Sequence, residues 1–150
     1  MQNHSRAIGL ALLTVLLIVF IWGNSCLSRE DSGAQSGRIT QFLRSVLDPR
    51  EQIPEENFHH FVRKTAHFLE FSVLGFLVAR FCAVVGSMIN KRLVSLPILM
   101  VLLVAVLDEY IQFFADRGSA VTDVMLDFMG GLTGLGVGLF CTILINGRKK

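Results

Sequence analysis

The chain has 150 residues, of which 52% are hydrophobic and only 17% charged, with a formal net charge of +2. A soluble domain carries about a quarter charged residues, so this composition predicts an integral membrane protein. The small and dispersed net charge argues against nucleic-acid binding. The three cysteines show no paired spacing, so neither a disulfide framework nor a cysteine metal site is predicted.

Four apolar stretches are long enough to cross a bilayer, which takes about 20 residues of helix. They lie near residues 7–23, 64–88, 93–114 and 122–145. The first follows Arg6 and lacks an A-x-A-like site, so an uncleaved signal-anchor helix is favoured over a leader cleaved before Cys26. We therefore expect one all-α membrane domain over residues 1–150, with four transmembrane helices.

Basic residues next to the spans predict the orientation, because cytoplasmic loops are enriched in lysine and arginine. With four spans, the start of the chain, the second connection and the end of the chain share one side of the membrane. We assign that side to the cytoplasm, although six basic residues in or beside the long first loop argue against it. The residues that carry this N-in/C-in prediction are Arg6, Lys91, Arg92, Arg148, Lys149 and Lys150.

The long first loop contains one amphipathic stretch, "RITQFLRSVL", at residues 38–47. Its apolar residues recur at helical spacing, which predicts a short helix on the outer membrane surface or over the bundle. The apolar face consists of Ile39, Phe42, Leu43, Val46 and Leu47.

Polar residues gather near the predicted outer ends of the last three helices. By the helical rise of about 1.5 Å per residue, Glu70, Asp108 and Asp127 each lie roughly 7–9 Å inside the outer boundary. Lys64 and His67 precede Glu70 at i, i+3 spacing and share its stripe. We call the nine predicted residues the polar cluster: Lys64, His67, Glu70, Asp108, Glu109, Gln112, Arg117, Asp123 and Asp127.

Part of the polar cluster, together with the nearby Asp116, also has a simpler interpretation. Asp116 and Arg117 fit a loop, Asp123 fits the start of a helix, and Gln112 fits a hydrogen bond between helices. Several carboxylates in one low-dielectric region repel one another, however, unless they are protonated, paired or bound to a cation. Such a cluster inside a membrane favours a functional site.

Glycines recur every four residues along the fourth predicted helix. Gly130, Gly134 and Gly138 form a small-residue ridge of the kind that lets helix backbones approach closely in lipid. The ridge continues the face that carries Asp123 and Asp127, so we expect the glycines and the carboxylates to face the neighbouring helices.

Two segments, "RKTAHFLEFSVLG" and "DEYIQFFADRGSAVTDVMLDFMGGLTG", resemble the VanZ-like family of small bacterial membrane proteins. The resemblance covers nearly the whole chain, with one departure at Phe71, where members often have tyrosine. The named member of the family is associated with resistance to teicoplanin, a lipid-tailed glycopeptide antibiotic. The resemblance therefore implies a cell-envelope role in the bacterial cytoplasmic membrane. The matching residues are Lys64, His67, Glu70, Asp108, Glu109, Gln112, Arg117, Asp123, Asp127 and Gly131.

Three functions are compatible with these features, and a non-enzymatic role ranks first: binding a lipid-linked or lipopeptide ligand at the outer leaflet through the polar cluster. The second is a membrane hydrolase or transferase acting on a lipid headgroup. His67, Glu70 and Asp108 would then supply acid–base groups or hold a divalent cation. No HExxH or GxSxG motif supports that role, and we predict no cofactor and no dedicated metal site.

The third function is proton-linked transport, since carboxylates inside a membrane can relay protons. Four short helices offer little room for an alternating-access pathway, and the chain contains no visible inverted repeat. A membrane lipid or lipid-linked envelope molecule is the expected partner. A homo-oligomer and a separate membrane partner are both compatible with the sequence.

Overall fold

The computed structural model describes residues 2–26, 40–48, 50, 52–89, 93, 95–115 and 120–147. Within these ranges the chain forms five helices and no strand, which confirms the all-α prediction. The helices are α1 (Gln2–Ser25), α2 (described at residues 40–47), α3 (Glu55–Met88), α4 (Ser95–Phe114) and α5 (Val121–Gly147).

Four of these helices, α1, α3, α4 and α5, are long and apolar enough to cross a membrane, as predicted. The outer surface of the bundle carries many large apolar side chains; Leu12, Leu16 and Val19 of α1 are examples that stay more than half exposed. An apolar surface of this extent is expected to face lipid. The N-in/C-in orientation stays a prediction. Apart from Arg6, the residues that carry it lie outside the described ranges: Lys91, Arg92, Arg148, Lys149 and Lys150.

The helices extend beyond the apolar stretches that predicted them. α3 begins at Glu55 rather than near residue 64, directly after Pro54, whose φ of −52° and ψ of 140° are not helical. Glu55 and Glu56 lie in the first turn, where negative charge complements the helix dipole. α1 also runs to Ser25, beyond the predicted end of its span near residue 23.

The short helix α2 lies within the predicted amphipathic stretch. Phe42, Val46 and Leu47 are 69%, 63% and 62% exposed, whereas Thr40 at its start is buried. Ile39, the first residue of the predicted apolar face, lies outside the described residues. The described part of this helix therefore presents apolar side chains outward, as expected for a helix at a membrane surface.

A hydrogen-bonded turn connects α2 to α3. The carboxylate of Asp48 accepts the backbone N–H groups of Gln52 and Ile53, each at 2.9 Å. The hydrogen bond from Ile53, and to a smaller extent that from Gln52, lowers the pKa of Asp48 from its ordinary value because each stabilises the ionised carboxylate. Arg44 of α2 also donates to the carbonyl oxygen of Ile53 at 3.0 Å.

The largest interface in the bundle joins α3 and α5, and glycines make it close. A Cβ on Gly130 would overlap the carbonyl oxygen of Phe68, and one on Gly134 would overlap that of Ser72. A Cβ on Gly138 would come within 2.7 Å of the Ala79 side chain. The structure thus places all three glycines of the predicted ridge against α3.

An apolar core fills the space between the four long helices. Phe71 and Leu74 of α3, Val101 of α4 and Ile21 of α1 are fully buried at its centre. Together these contacts fix the rotation of α1, α3, α4 and α5 at the end where the polar residues lie. The buried apolar residues are Ile21, Phe71, Leu74, Val78, Ala79, Cys82, Val101, Val104, Ala105 and Leu135.

Candidate functional site

The helices α1 and α4 end, and α3 and α5 begin, at one end of the bundle, which we call the polar end. Asp108 of α4 lies there with 0% exposure. Its Oδ1 accepts a hydrogen bond from the Ser25 hydroxyl of α1, and its Oδ2 accepts one from Nε2 of Gln112, both at 2.7 Å. Nε2 of Gln112 also lies 3.5 Å from the Ser25 oxygen. Asp108 is therefore held in place by donors from two helices.

A histidine of α3 connects Asp108 to a second aspartate on α5. Nδ1 of His67 lies 3.8 Å from Oδ2 of Asp108 and 3.9 Å from Oδ1 of Asp127. One ligand atom from each of these three residues falls within 4.8 Å of the others. We call His67, Asp108 and Asp127 the His–Asp–Asp group.

The His–Asp–Asp group is almost closed to solvent. The side chain of His67 is 15% exposed, and that of Asp127 only 2%. Oδ2 of Asp127 is buried and accepts no hydrogen bond from the residues that the structure describes. A buried carboxylate oxygen without a donor is costly and uncommon in native proteins.

An ion pair lies on the solvent side of the His–Asp–Asp group. Nζ of Lys64 hydrogen-bonds to Oδ1 of Asp123, and the two side chains are 33% and 20% exposed. Lys64 precedes His67 by three residues in α3, and Asp123 precedes Asp127 by four in α5, so the pair lies about one turn nearer the helix starts. Both side chains of this partly exposed pair also line a narrow cavity between α3, α4 and α5.

The two remaining glutamates of the polar cluster have different surroundings. Glu109 is 5% exposed, and its Oε2 accepts the backbone N–H of Ala120 at 3.2 Å, just before α5 begins. A carboxylate at a helix N-terminus is stabilising, so Glu109 anchors the start of α5. Glu70 is half-buried, one turn past His67, and makes no hydrogen bond or ion pair with the described residues.

A narrow cavity opens between α3, α4 and α5 at the polar end. Its interior has room for about one water molecule. His67 and Asp127 contribute to its lining, as does Arg63, so the cavity leads to the His–Asp–Asp group. The lining residues are Arg63, Lys64, His67, Glu109, Gln112, Asp123, Leu126 and Asp127.

The structure brings most of the polar cluster together at the polar end, and Glu70 lies one turn past His67 on α3. Arg117 lies outside the described residues. Sequence reasoning missed Ser25 and Arg63. For Ser25 the sequence offers only its position, at the end of the first apolar run.

These features define a multi-pass helical membrane protein with a buried acidic cluster at one end of its bundle. A model of the VanZ/LLP1 family matches residues 10–144, and the chain belongs to this family. The resemblance of its motifs to VanZ-like proteins is thereby confirmed. No curated protein and no solved structure matches the chain. The matched range contains every residue of the polar cluster.

Proposed function

We propose that the protein binds the head of a lipid-linked or lipopeptide ligand at the polar end, in the outer leaflet of the bacterial cytoplasmic membrane. The observation that carries this proposal is the His–Asp–Asp group, which lies inside the bundle beneath a partly exposed ion pair. Charged groups inside a membrane-spanning bundle are costly and are typical of binding sites and ion pathways. The association of a family member with teicoplanin resistance supports an envelope ligand that carries a lipid tail.

The charges of the site favour a ligand with a cationic or N–H-rich head. Lys64 already pairs with Asp123, whereas Oδ2 of Asp127 has no donor among the described residues. Glu109 and Asp108 add further carboxylates within the same end of the bundle. An ammonium or amide group would supply the missing donors in a region of low dielectric constant.

The size of the cavity limits how deeply such a head can enter. With room for about one water molecule, it admits a single small group, and the rest of the head would stay above the Lys64–Asp123 pair. A lipid tail would lie along the apolar outer surface of the bundle, and the exposed face of α2, with Phe42 and Val46, offers a second apolar contact.

Teicoplanin binding tests this proposal directly. Wild-type protein in nanodiscs should bind teicoplanin more tightly than its deacylated form, and Asp127→Asn should weaken binding at least tenfold. Glu55→Gln removes an exposed carboxylate from the start of α3 and is the matched control, which should bind like wild type. Expression in a susceptible bacterium should raise the inhibitory concentration of teicoplanin for wild type and Glu55→Gln only. Equal binding by Asp127→Asn and wild type would contradict the proposal.

The position of His67 favours one alternative, a membrane enzyme acting on lipid headgroups. Its Nδ1 faces two carboxylates at 3.8 and 3.9 Å, so a closure to hydrogen-bond distance when substrate binds would let these groups exchange a proton. Purified protein would then release the headgroup from radiolabelled phospholipid vesicles, and His67→Ala would abolish that release. Absence of any release by the wild-type protein would reject this alternative.

A further inference from the structure

Three side chains from three helices converge at the polar end with the composition of a transition-metal site. The donors are an imidazole nitrogen of His67 and carboxylate oxygens of Asp108 and Asp127, all within 4.8 Å of one another. Imidazole together with carboxylate suits first-row ions such as Zn²⁺ and Mn²⁺, whereas Mg²⁺ and Ca²⁺ prefer oxygen ligands alone.

A second observation points to a cation-binding role for the same place. Oδ2 of Asp127 is buried and accepts no hydrogen bond from any described residue, although the residue is only 2% exposed. Neither cationic side chain that lines the cavity takes this role: Lys64 hydrogen-bonds to Asp123, and Arg63 forms no ion pair among the described residues. A metal ion would be a partner for the orphaned oxygen.

The surroundings of Asp108 have the form of an outer ligand shell. Ser25 and Gln112 each donate to one of its oxygens at 2.7 Å, which orients the carboxylate. Metal-ligating carboxylates are characteristically held by such second hydrogen bonds. These donors come from α1 and α4, so a metal would connect all four long helices.

The three ligand atoms lie within 4.8 Å of one another and would have to draw together to hold a four-coordinate ion. Ligand atoms around tetrahedral Zn²⁺ lie about 3.4 Å apart, whereas Nδ1 of His67 lies 3.8 Å from Asp108 and 3.9 Å from Asp127. The cavity has room for about one water molecule, which would take the fourth position. We infer that His67, Asp108 and Asp127 form a binding site for one first-row divalent ion, with its open position facing the cavity.

Calorimetry with ZnCl₂ on chelator-treated protein in detergent tests this inference, with no lipid ligand present. Wild-type protein should bind one equivalent, and Asp127→Asn and His67→Gln should each weaken binding at least tenfold. The matched control is His59→Gln, which removes another imidazole that faces a carboxylate, that of Glu55 at 3.7 Å in the first turns of α3. This control should bind like wild type.

A spectroscopic measurement covers the case in which a variant fails to fold. Co²⁺ added to the wild-type protein should give the intense visible absorption of a four-coordinate ion, and ZnCl₂ should remove it. Any of three results would overturn the inference. They are weak six-coordinate Co²⁺ absorption, the absence of saturable Zn²⁺ binding to the wild-type protein, and unchanged Zn²⁺ affinity of folded Asp127→Asn. Because no lipid is present, this result stands apart from the teicoplanin assay, and either proposal can fail alone.

Discussion

The glycine contact between α3 and α5 leads to a prediction that two neighbouring glycines can test. A Cβ on Gly134 would overlap the carbonyl oxygen of Ser72 and lie 2.8 Å from the backbone nitrogen of Phe76. Gly136, two residues further along α5, has nothing within 4 Å of its Cβ position. Gly134→Ala and Gly136→Ala therefore add the same methyl group to a tight interface and to open space.

The expected effects have opposite signs. Overpacking a tight contact costs about 1–3 kcal/mol, and here the obstacle is backbone, which cannot rotate away like a side chain. Alanine instead stabilises a helix by up to about 1 kcal/mol relative to glycine. We expect Gly136→Ala to be neutral or slightly stabilising, and Gly134→Ala to have a free energy of unfolding about 1–3 kcal/mol lower than Gly136→Ala.

Unfolding by sodium dodecyl sulfate in mixed micelles measures this difference, with both variants prepared in the same detergent. The two-residue spacing keeps helix, depth and chemistry nearly constant, so intrinsic helix propensity cancels between the variants. If the two free energies of unfolding agreed within about 0.5 kcal/mol, the close α3–α5 contact would be refuted.

Three further predictions concern other parts of the chain. Phe71 is 0% exposed, so Phe71→Ala should lower the free energy of unfolding by about 3–5 kcal/mol, whereas Phe61→Ala, at a residue that is 62% exposed, should change it little in the same assay. Cys26 is exposed just after α1, so a membrane-impermeant maleimide should label it in intact cells. The Cys26→Ser variant should not be labelled, and labelling of Cys26 only after lysis would contradict the N-in orientation. The lowered pKa of Asp48 means that its stabilisation of the α2–α3 turn is present above the unfolded pKa of about 4 and is lost as the pH falls through the folded value. The NMR shifts of the two amides that donate to Asp48 should titrate in wild type and not in Asp48→Asn; identical titration in both would contradict the contact.

The number and type of the long helices could be predicted because hydrophobicity alone reports a membrane span. The ends of these helices could not be predicted in this way. A helix can continue past the membrane boundary as long as its backbone hydrogen bonds continue, whereas the apolar composition ends at that boundary. α3 thus gains polar turns from Glu55 onward, and these turns, which contain His59 and His60, precede the predicted start of the span near residue 64.

Helical spacing could place Lys64 and His67 on one stripe of α3, but it could not say which residue of α5 each would meet. That choice depends on helix rotation, which the contact between Gly130 and Phe68 sets. It brings Lys64 to Asp123 and leaves His67 between two aspartates. Periodicity within one helix carries no information about such pairings.

The contribution of α1 was the least predictable part of the candidate site. A first apolar helix after a basic residue is typical of an anchor, and an anchor needs no specific contact with the bundle. The fully buried hydroxyl of Ser25 nevertheless donates to Asp108. A single serine at the end of a span carries no signal strong enough to indicate that role.

The central claim is that the aspartates of α4 and α5 share one buried site, and a double-mutant cycle tests it most directly. The free energy of unfolding in detergent is measured for Asp108→Asn, Asp127→Asn and the double variant, with Asp127→Asn combined with the exposed Glu55→Gln as the distant control pair. Because both aspartates face His67, at 3.8 and 3.9 Å, neutralising one changes the charge that the other experiences. A shared site predicts a coupling energy above about 0.5 kcal/mol for the aspartate pair and additive effects for the control pair. Additive effects in both pairs would contradict a shared site.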